Sequence, residues 1–207
     1  MRKYLIPIGF ILLCIIVFLL YPTDYSKFQD GDIIFQISRS SQSAAIQQAT
    51  HSNYSHMGII CKIKGKYYVY EAIQTVQLTP LESWINRGQN SHFVVKRLKN
   101  SNQILTPEIL AKMKKAGEAF QGRDYDLYFG WSDDKLYCSE LVWKIYYRAL
   151  GIEIGQLKTL KEFDFNHPIV KSKLTERYGD DIPWSEIVIS PGDMFESDLL
   201  EKVYSKG

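Results

Sequence analysis

An uncharged apolar run, residues 4–21, divides this chain of 207 residues into two unlike parts. As a helix that rises about 1.5 Å per residue, the run spans roughly 27 Å, just short of a hydrocarbon core about 30 Å thick. It follows Arg2 and Lys3 and ends without the small residues that precede a cleavage site. We therefore expect residues 1–23 to be a transmembrane anchor or uncleaved signal, with the following domain on the extracytoplasmic side, or secreted if the leader is cleaved.

The remaining chain, residues 24–207, has the size and composition of a single globular domain. A hydrophobic content of 45% is too high for a disordered chain. The 25 basic and 23 acidic side chains are interspersed, so no basic stripe favours a nucleic-acid partner. Cys14 lies in the apolar run, which leaves Cys61 and Cys138, too few for a disulfide framework.

The order of the apolar patterns predicts an α+β domain. Period-two or continuous apolar runs indicate strands at residues 33–35, 56–62, 66–73, 93–98 and 199–204. Helical spacing indicates helices at residues 41–50, 107–121 and 137–150. Residues after 155 are predicted to be rich in loops, because turn signals recur there, including His167-Pro168.

Cys138 occupies the first turn of the last of these helices. It shares an apolar stripe with Leu141, Val142 and Ile145, so its sulfur is expected to face the sheet. The partial positive charge and free N–H groups of a helix N-terminus favour a thiolate and a developing oxyanion. This position suits a nucleophile, and it equally suits a buried cysteine that packs as a small hydrophobic residue.

The predicted hairpin supplies a base for this thiol. With a two-residue turn at 64–65, Gly58 lies opposite Glu71, and His56 and Glu71 become diagonal neighbours on one face. The carboxylate can then orient the imidazole, and Gly58 leaves space for their approach. Cys61 points to the opposite face, which makes it a poor rival nucleophile.

The other three histidines are weaker candidates for a catalytic base. His51, His92 and His167 have no acidic neighbour in a readable register and are predicted to be surface or loop residues. A zinc site from His56, Cys61 and Cys138 is disfavoured, because Cys61 faces away. We therefore expect no metal and no cofactor.

Segments 55–59, 70–72, 125–131 and 137–142 together resemble the circularly permuted papain-like amidases, the YiiX-like branch of the NlpC-type cysteine peptidases. The resemblance covers about residues 31–151. It implies a permuted papain-like fold, in which an antiparallel sheet packs against the helix that carries the catalytic cysteine. It also implies Cys138 as nucleophile, His56 as base and Glu71 as the residue that orients the imidazole.

The expected reaction is cleavage of an amide or ester bond through a thioester, with the backbone N–H of Cys138 as one oxyanion donor. Tyr54 and Tyr137 are candidates for the second donor or for substrate-binding walls. The substrate is expected to be a small molecule, a lipid or a cell-wall peptide. Two alternatives stay open, an acyltransferase on the same fold and a catalytically silent, membrane-tethered binding domain.

Overall fold

The computed structural model describes residues 24–206. Its strands are β1 (Ile33–Gln36), β2 (His56–Ile63), β3 (Lys66–Ala72), β4 (Val76–Pro80), β5 (Phe93–Leu98), β6 (Asp124–Tyr125), β7 (Lys135–Leu136), β8 (Lys158–Thr159), β9 (Ile187–Val188) and β10 (Leu200–Lys206). Its α-helices are α1 (Ser43–Thr50), α2 (Leu81–Arg87), α3 (Ser101–Ile104), α4 (Pro107–Glu118), α5 (Cys138–Leu150), α6 (Pro168–Tyr178) and α7 (Pro191–Phe195). Single 3-10 turns lie at Tyr25–Lys27, Gln89–Ser91 and Leu160–Glu162.

Six of these strands form one antiparallel sheet in the order β10-β5-β1-β2-β3-β4. This confirms the predicted α+β class and the predicted strands of the hairpin. The ladder runs from Ile59 opposite Tyr70 to Ile63 opposite Lys66. Continued by one step, the same register places Gly58 opposite Glu71, as the two-residue turn predicted.

The sheet is covered on both faces, as the burial of every residue of β1 requires. On one face, Ile33, Phe35 and Met57 pack in a core that includes Leu141 and Ile145 of α5. On the other face, Ile34 and other buried strand residues pack against Trp84 of α2 in a second core. Because side chains alternate along a strand, the odd-numbered apolar residues of β1 pack in the first core and Ile34 packs in the second.

Several parts of the fold differ from the sequence prediction, and two of them bear on the site. Strand β4 and helix α2 lie in a stretch for which no element was predicted. The prediction of a loop-rich region after residue 155 is wrong for α6, an eleven-residue helix. The turn signal His167-Pro168 is in fact a helix start: Pro168 occupies the first turn of α6, and His167 caps the helix by accepting the N–H of Ile169 at 3.2 Å.

The predicted anchor of residues 4–21 lies outside the described residues. Between residues 24 and 206, no helix combines the length and apolar character needed to cross a bilayer.

Candidate active site

His56 and Glu71 form the centre of the candidate site. His56 is the first residue of β2, and its Nε2 lies 2.5 Å from Oε2 of Glu71 on β3. Both side chains are buried. A Cβ atom added at Gly58 would lie 2.4 Å from Val69 and 3.3 Å from Cβ of Glu71, so only glycine fits between these strands. The close approach predicted from the hairpin is therefore present.

Glu71 has further partners that the sequence did not reveal. Nη2 of Arg87, at the end of α2, donates to both carboxylate oxygens, at 2.6 and 2.7 Å. Oγ1 of Thr79, on β4, donates to Oε1 at 2.6 Å. Burial disfavours the charged carboxylate, but the hydrogen bonds from His56 and Arg87 outweigh it and lower the pKa of Glu71 to about 2. Glu71 is therefore held as an anion.

Cys138 completes the group of three. It is the first residue of α5, it is 3% exposed, and it lies near enough to His56 to raise the pKa of the imidazole. The imidazole stacks on Trp84 of α2, and Cys138 belongs to the core on the α5 side, so the two groups come together at the end of the sheet where β2 begins. Nε2 of His56 is engaged by Glu71, so Nδ1 is the ring nitrogen available to the sulfur.

The charge state of His56 follows from its two partners. Burial disfavours the imidazolium, but hydrogen bonding and electrostatic interaction with Cys138 and Glu71 outweigh burial and raise the pKa of His56 from 6.5 to about 9. Its ring also stacks on Trp84, with ring centroids 5.8 Å apart. The imidazole is therefore both fixed in orientation and stabilised as a cation when it accepts a proton.

The start of α5 is fixed by contacts with the chain segment around residue 189. Oγ of Ser139 donates to the carbonyl of Ile189 at 2.8 Å. Oη of Tyr137 accepts the backbone N–H of Ile189 at 3.1 Å. These bonds hold the first turn of α5 in place, so the nucleophile sits on a rigid element.

A cavity of about 100 Å³ opens beside Cys138. Its walls come from α1, α6 and the segments around residues 125–137 and 160–191, and they are almost wholly apolar. Tyr137, a predicted substrate-binding residue, lines this cavity. Tyr54, the other one, does not; it packs against Phe35 and Phe195. The cavity could not be predicted from the sequence, because segments far apart in the chain build it.

The remaining cysteine and histidines lie apart from this centre. Cys61 is half-buried on the opposite face of β2 from His56, and burial raises its thiol pKa to about 12. His51 does have an acidic partner, Asp164 at 3.2 Å, but its side chain is 74% exposed. His92 stacks on Tyr54. None of these side chains joins the group around Cys138.

Comparison with known proteins places this arrangement in context. The chain is 48% identical to the Escherichia coli (strain K12) protein YiiX over 175 residues, which cover 84% of this chain and 85% of that protein. It also matches a crystal structure described as metalloprotein yiiX from Escherichia coli O157:H7. That match has a TM-score of 0.83 and 47% identity, and it covers 87% of this chain and 98% of the other.

The word metalloprotein in that description raises the question whether this chain could hold a metal ion. Over residues 24–206, no three His, Cys, Asp or Glu side chains are grouped so as to ligate one. At the candidate site, the Glu71 carboxylate is already engaged by Arg87 and Thr79. The described side chains therefore do not fit a metal centre.

The family assignment rests on the greater part of the chain. A family model described as permuted papain-like amidase enzyme, YaeF/YiiX, C92 family, matches residues 27–204. This match confirms the resemblance seen in the sequence, and it includes the hairpin, the helix that begins at Cys138 and the later segment that could not be assigned from sequence. The chain belongs to the YaeF/YiiX family of permuted papain-like amidases.

Proposed function

We propose that this protein is a cysteine hydrolase that cleaves an amide or ester bond with a triad of Cys138, His56 and Glu71. The observation that carries the proposal is the position of the His56 imidazole between the buried Glu71 carboxylate, 2.5 Å from Nε2, and Cys138, which raises the pKa of that imidazole. A nucleophile, a base and a group that orients the base are the three parts that covalent acyl transfer requires.

In the proposed reaction, His56 accepts the thiol proton and the thiolate attacks the substrate carbonyl carbon. The tetrahedral intermediate collapses to a thioester on Cys138, while the imidazolium gives its proton to the leaving amine or alcohol. Water then attacks the thioester with His56 as base and releases the acid. The nearby Glu71 anion stabilises each imidazolium stage, which accords with a His56 pKa of about 9.

Two donors are proposed for the oxyanion. The first is the backbone N–H of Cys138, at the N-terminus of α5. The second is the hydroxyl of Tyr125, which lines the cavity with Cys138 and accepts a hydrogen bond from Nε2 of Gln42 at 3.0 Å. That bond occupies an acceptor site and leaves the hydroxyl proton for substrate. Burial raises the pKa of Tyr125, which keeps the proton in place.

The location of the enzyme is part of the proposal. Residues 4–21 are proposed to anchor the chain in a membrane, with the domain on the extracytoplasmic side. An anchor would hold the active site close to lipid or cell-wall substrates. Fractionation of cells that express the full chain, followed by protease treatment of intact spheroplasts, tests both the anchoring and the side of the membrane.

The decisive experiment compares Cys138→Ala with Cys61→Ala in a turnover assay across amide and ester libraries. We expect turnover to fall to background in Cys138→Ala and to persist in Cys61→Ala, with the circular dichroism spectrum retained in both. Mass spectrometry of the intact wild-type protein should show an acyl adduct on Cys138. Product analysis with and without added amines separates hydrolysis from transfer. Unchanged turnover in Cys138→Ala would refute the proposal.

A further inference from the structure

The chain enters the described domain at a fixed place on the hairpin of β2 and β3. The ring centroid of Tyr25 lies 5.5 Å from that of Phe28 and 6.2 Å from that of Tyr67 on β3. Phe28 is buried and belongs to the second core. The first residues of the domain are therefore packed against the hairpin and are not a free tether.

This packing keeps the hairpin close to the end of the proposed anchor. The apolar run ends at residue 21, four residues before Tyr25. Four residues of fully extended chain span at most about 14 Å. The headgroup layer adds roughly 5–8 Å beyond the hydrocarbon core. Tyr25, and Tyr67 beside it, therefore lie no farther from the headgroups than about one Debye length at physiological ionic strength.

The hairpin tip, residues 62–66, has the composition of a surface that contacts a membrane. All five residues are exposed, three of them are lysines, and the apolar side chain among them is Ile63. The ammonium group of Lys62 also lies 5.0 Å from the centroid of the Tyr67 ring. Tyrosine is enriched at the headgroup level of bilayers, and lysine is attracted to anionic lipids. The tip therefore matches an anionic headgroup layer above hydrocarbon.

Three carboxylates lie behind the tip, and each accepts a hydrogen bond within the domain. Asp30 accepts the backbone N–H of Lys62, and Glu82 accepts the hydroxyl of Tyr25. Asp24 caps the 3-10 turn that follows it. The turn of the hairpin beyond these carboxylates has lysine as its only type of charged residue. The end of the domain that projects farthest along the hairpin is therefore basic.

The candidate active site lies at the opposite end of the same strand. His56 begins β2 and Ile63 ends it. Seven steps of about 3.3 Å along a strand separate these two residues by roughly 23 Å. When the tip rests on a bilayer, the strand leads away from it, and the group around Cys138 lies on the far side of the domain.

We infer that the hairpin tip docks on the surface of an anionic phospholipid bilayer and orients the domain so that the active site faces away from that surface. This inference rests on the anchoring included in the proposed function and names the surface that the anchored domain contacts. It favours a substrate outside the bilayer, such as a cell-wall peptide, over a membrane lipid. Each lysine near an anionic surface strengthens docking by about fivefold, so the three together contribute about 10²-fold.

Tryptophan fluorescence in proteoliposomes tests the docking with the full-length protein. The vesicles contain phosphatidylserine and a phosphatidylcholine brominated on its acyl chains, which quenches an indole that reaches them. Ile63→Trp should add a quenched component to the fluorescence of the four native tryptophans. Leu127→Trp is the matched control, because Leu127 is 54% exposed and follows β6, whose Asp124 bridges Thr75 at the far end of the hairpin. The added tryptophan of this control should stay unquenched.

Charge variants show whether the lysines hold the tip on the membrane. In the Ile63→Trp protein, replacement of all three tip lysines by glutamine should lower the ratio of docked to undocked protein by about 10²-fold and abolish the added quenching. Vesicles of phosphatidylcholine alone should have the same effect. The charge-matched control, which should keep the quenching, replaces by glutamine three exposed lysines outside the hairpin: Lys135, Lys161 and Lys171.

Flotation with the vesicles separates this inference from the proposed function. If Ile63→Trp floats with the vesicles but is not quenched, the docking of the hairpin is overturned, while the anchor and the hydrolase stand. Equal quenching of Leu127→Trp would overturn the orientation, and quenching that survives the loss of the three lysines would overturn the anionic partner. A full chain that does not float would refute the anchor and the docking together, whereas turnover dependent on Cys138 is measured separately. If Ile63→Trp alters the circular dichroism spectrum, Lys66→Trp, on the residue opposite Ile63 in the ladder, carries the probe instead.

Discussion

Replacing Glu71 by glutamine keeps the shape of the side chain and removes the charge that lies 2.5 Å from the His56 ring. Two unit charges whose centres are about 4 Å apart attract by about 4 kcal/mol at an effective dielectric constant of about 20. About 1.4 kcal/mol corresponds to one pH unit. The substitution should therefore lower the pKa of His56 from about 9 by about three pH units, and Arg87, left without its carboxylate, pushes in the same direction.

The assay is a pH titration of the His56 ring signals by NMR, in the wild type and in Glu71→Gln. Glu118→Gln serves as the control, because the carboxylate of Glu118 is 64% exposed and makes only a surface pair with Lys114. We also expect kcat/KM to fall in Glu71→Gln, by no more than the about 10²- to 10⁴-fold that a well-placed base contributes, because the base His56 loses the carboxylate that orients it. A titration midpoint that does not move would refute the claim that Glu71 sets the charge of His56.

Three further predictions concern stability. Because the pKa of His56 is raised from 6.5 to about 9, its contribution to folding is complete below pH 6.5 and is lost as the pH rises through 9. Thermal melts should show this loss in the wild type and much less of it in Glu71→Gln. Gly58→Ala should lower the free energy of unfolding in urea by about 1–3 kcal/mol and reduce turnover, because the added methyl meets Val69. Asp32→Ala should cost about 3–5 kcal/mol in the same measurement, because Asp32 is buried and paired with Arg97 at 2.6 Å; a loss of less than about 1 kcal/mol, the value of an exposed pair, would contradict this reasoning.

Local sequence patterns were sufficient to predict the hairpin of β2 and β3. The turn at Lys64 and Gly65, both with positive φ, and the alternation of side chains along β2 and β3 decide the register. The register in turn decides that His56 and Glu71 share a face. Cys138 was also placed correctly at a helix start, because apolar spacing and the terminal Gly151 mark both ends of α5.

Long-range contacts could not be predicted in this way. Arg87 reaches Glu71 only because α2 folds back over the sheet, and neither β4 nor α2 has a strong periodic signal. The cavity requires α1 and α6, which lie more than 100 residues apart in the chain. His167-Pro168 could have been recognised as a helix start, since proline is favoured in the first helical turn as well as in turns.

The position of β10 at one end of the sheet has a consequence for synthesis on the ribosome. Its neighbour β5 pairs with β1 on one side, and on the other side only with this last strand. Until residues 200–206 emerge, the nascent protein exposes a row of unpaired backbone groups along β5, next to the apolar pair Val94 and Val95. Such an edge pairs readily with other chains. Pairing with β10 replaces this edge by one that carries Glu201 and Lys202 and an irregular register before Tyr204, features that disfavour pairing with other chains.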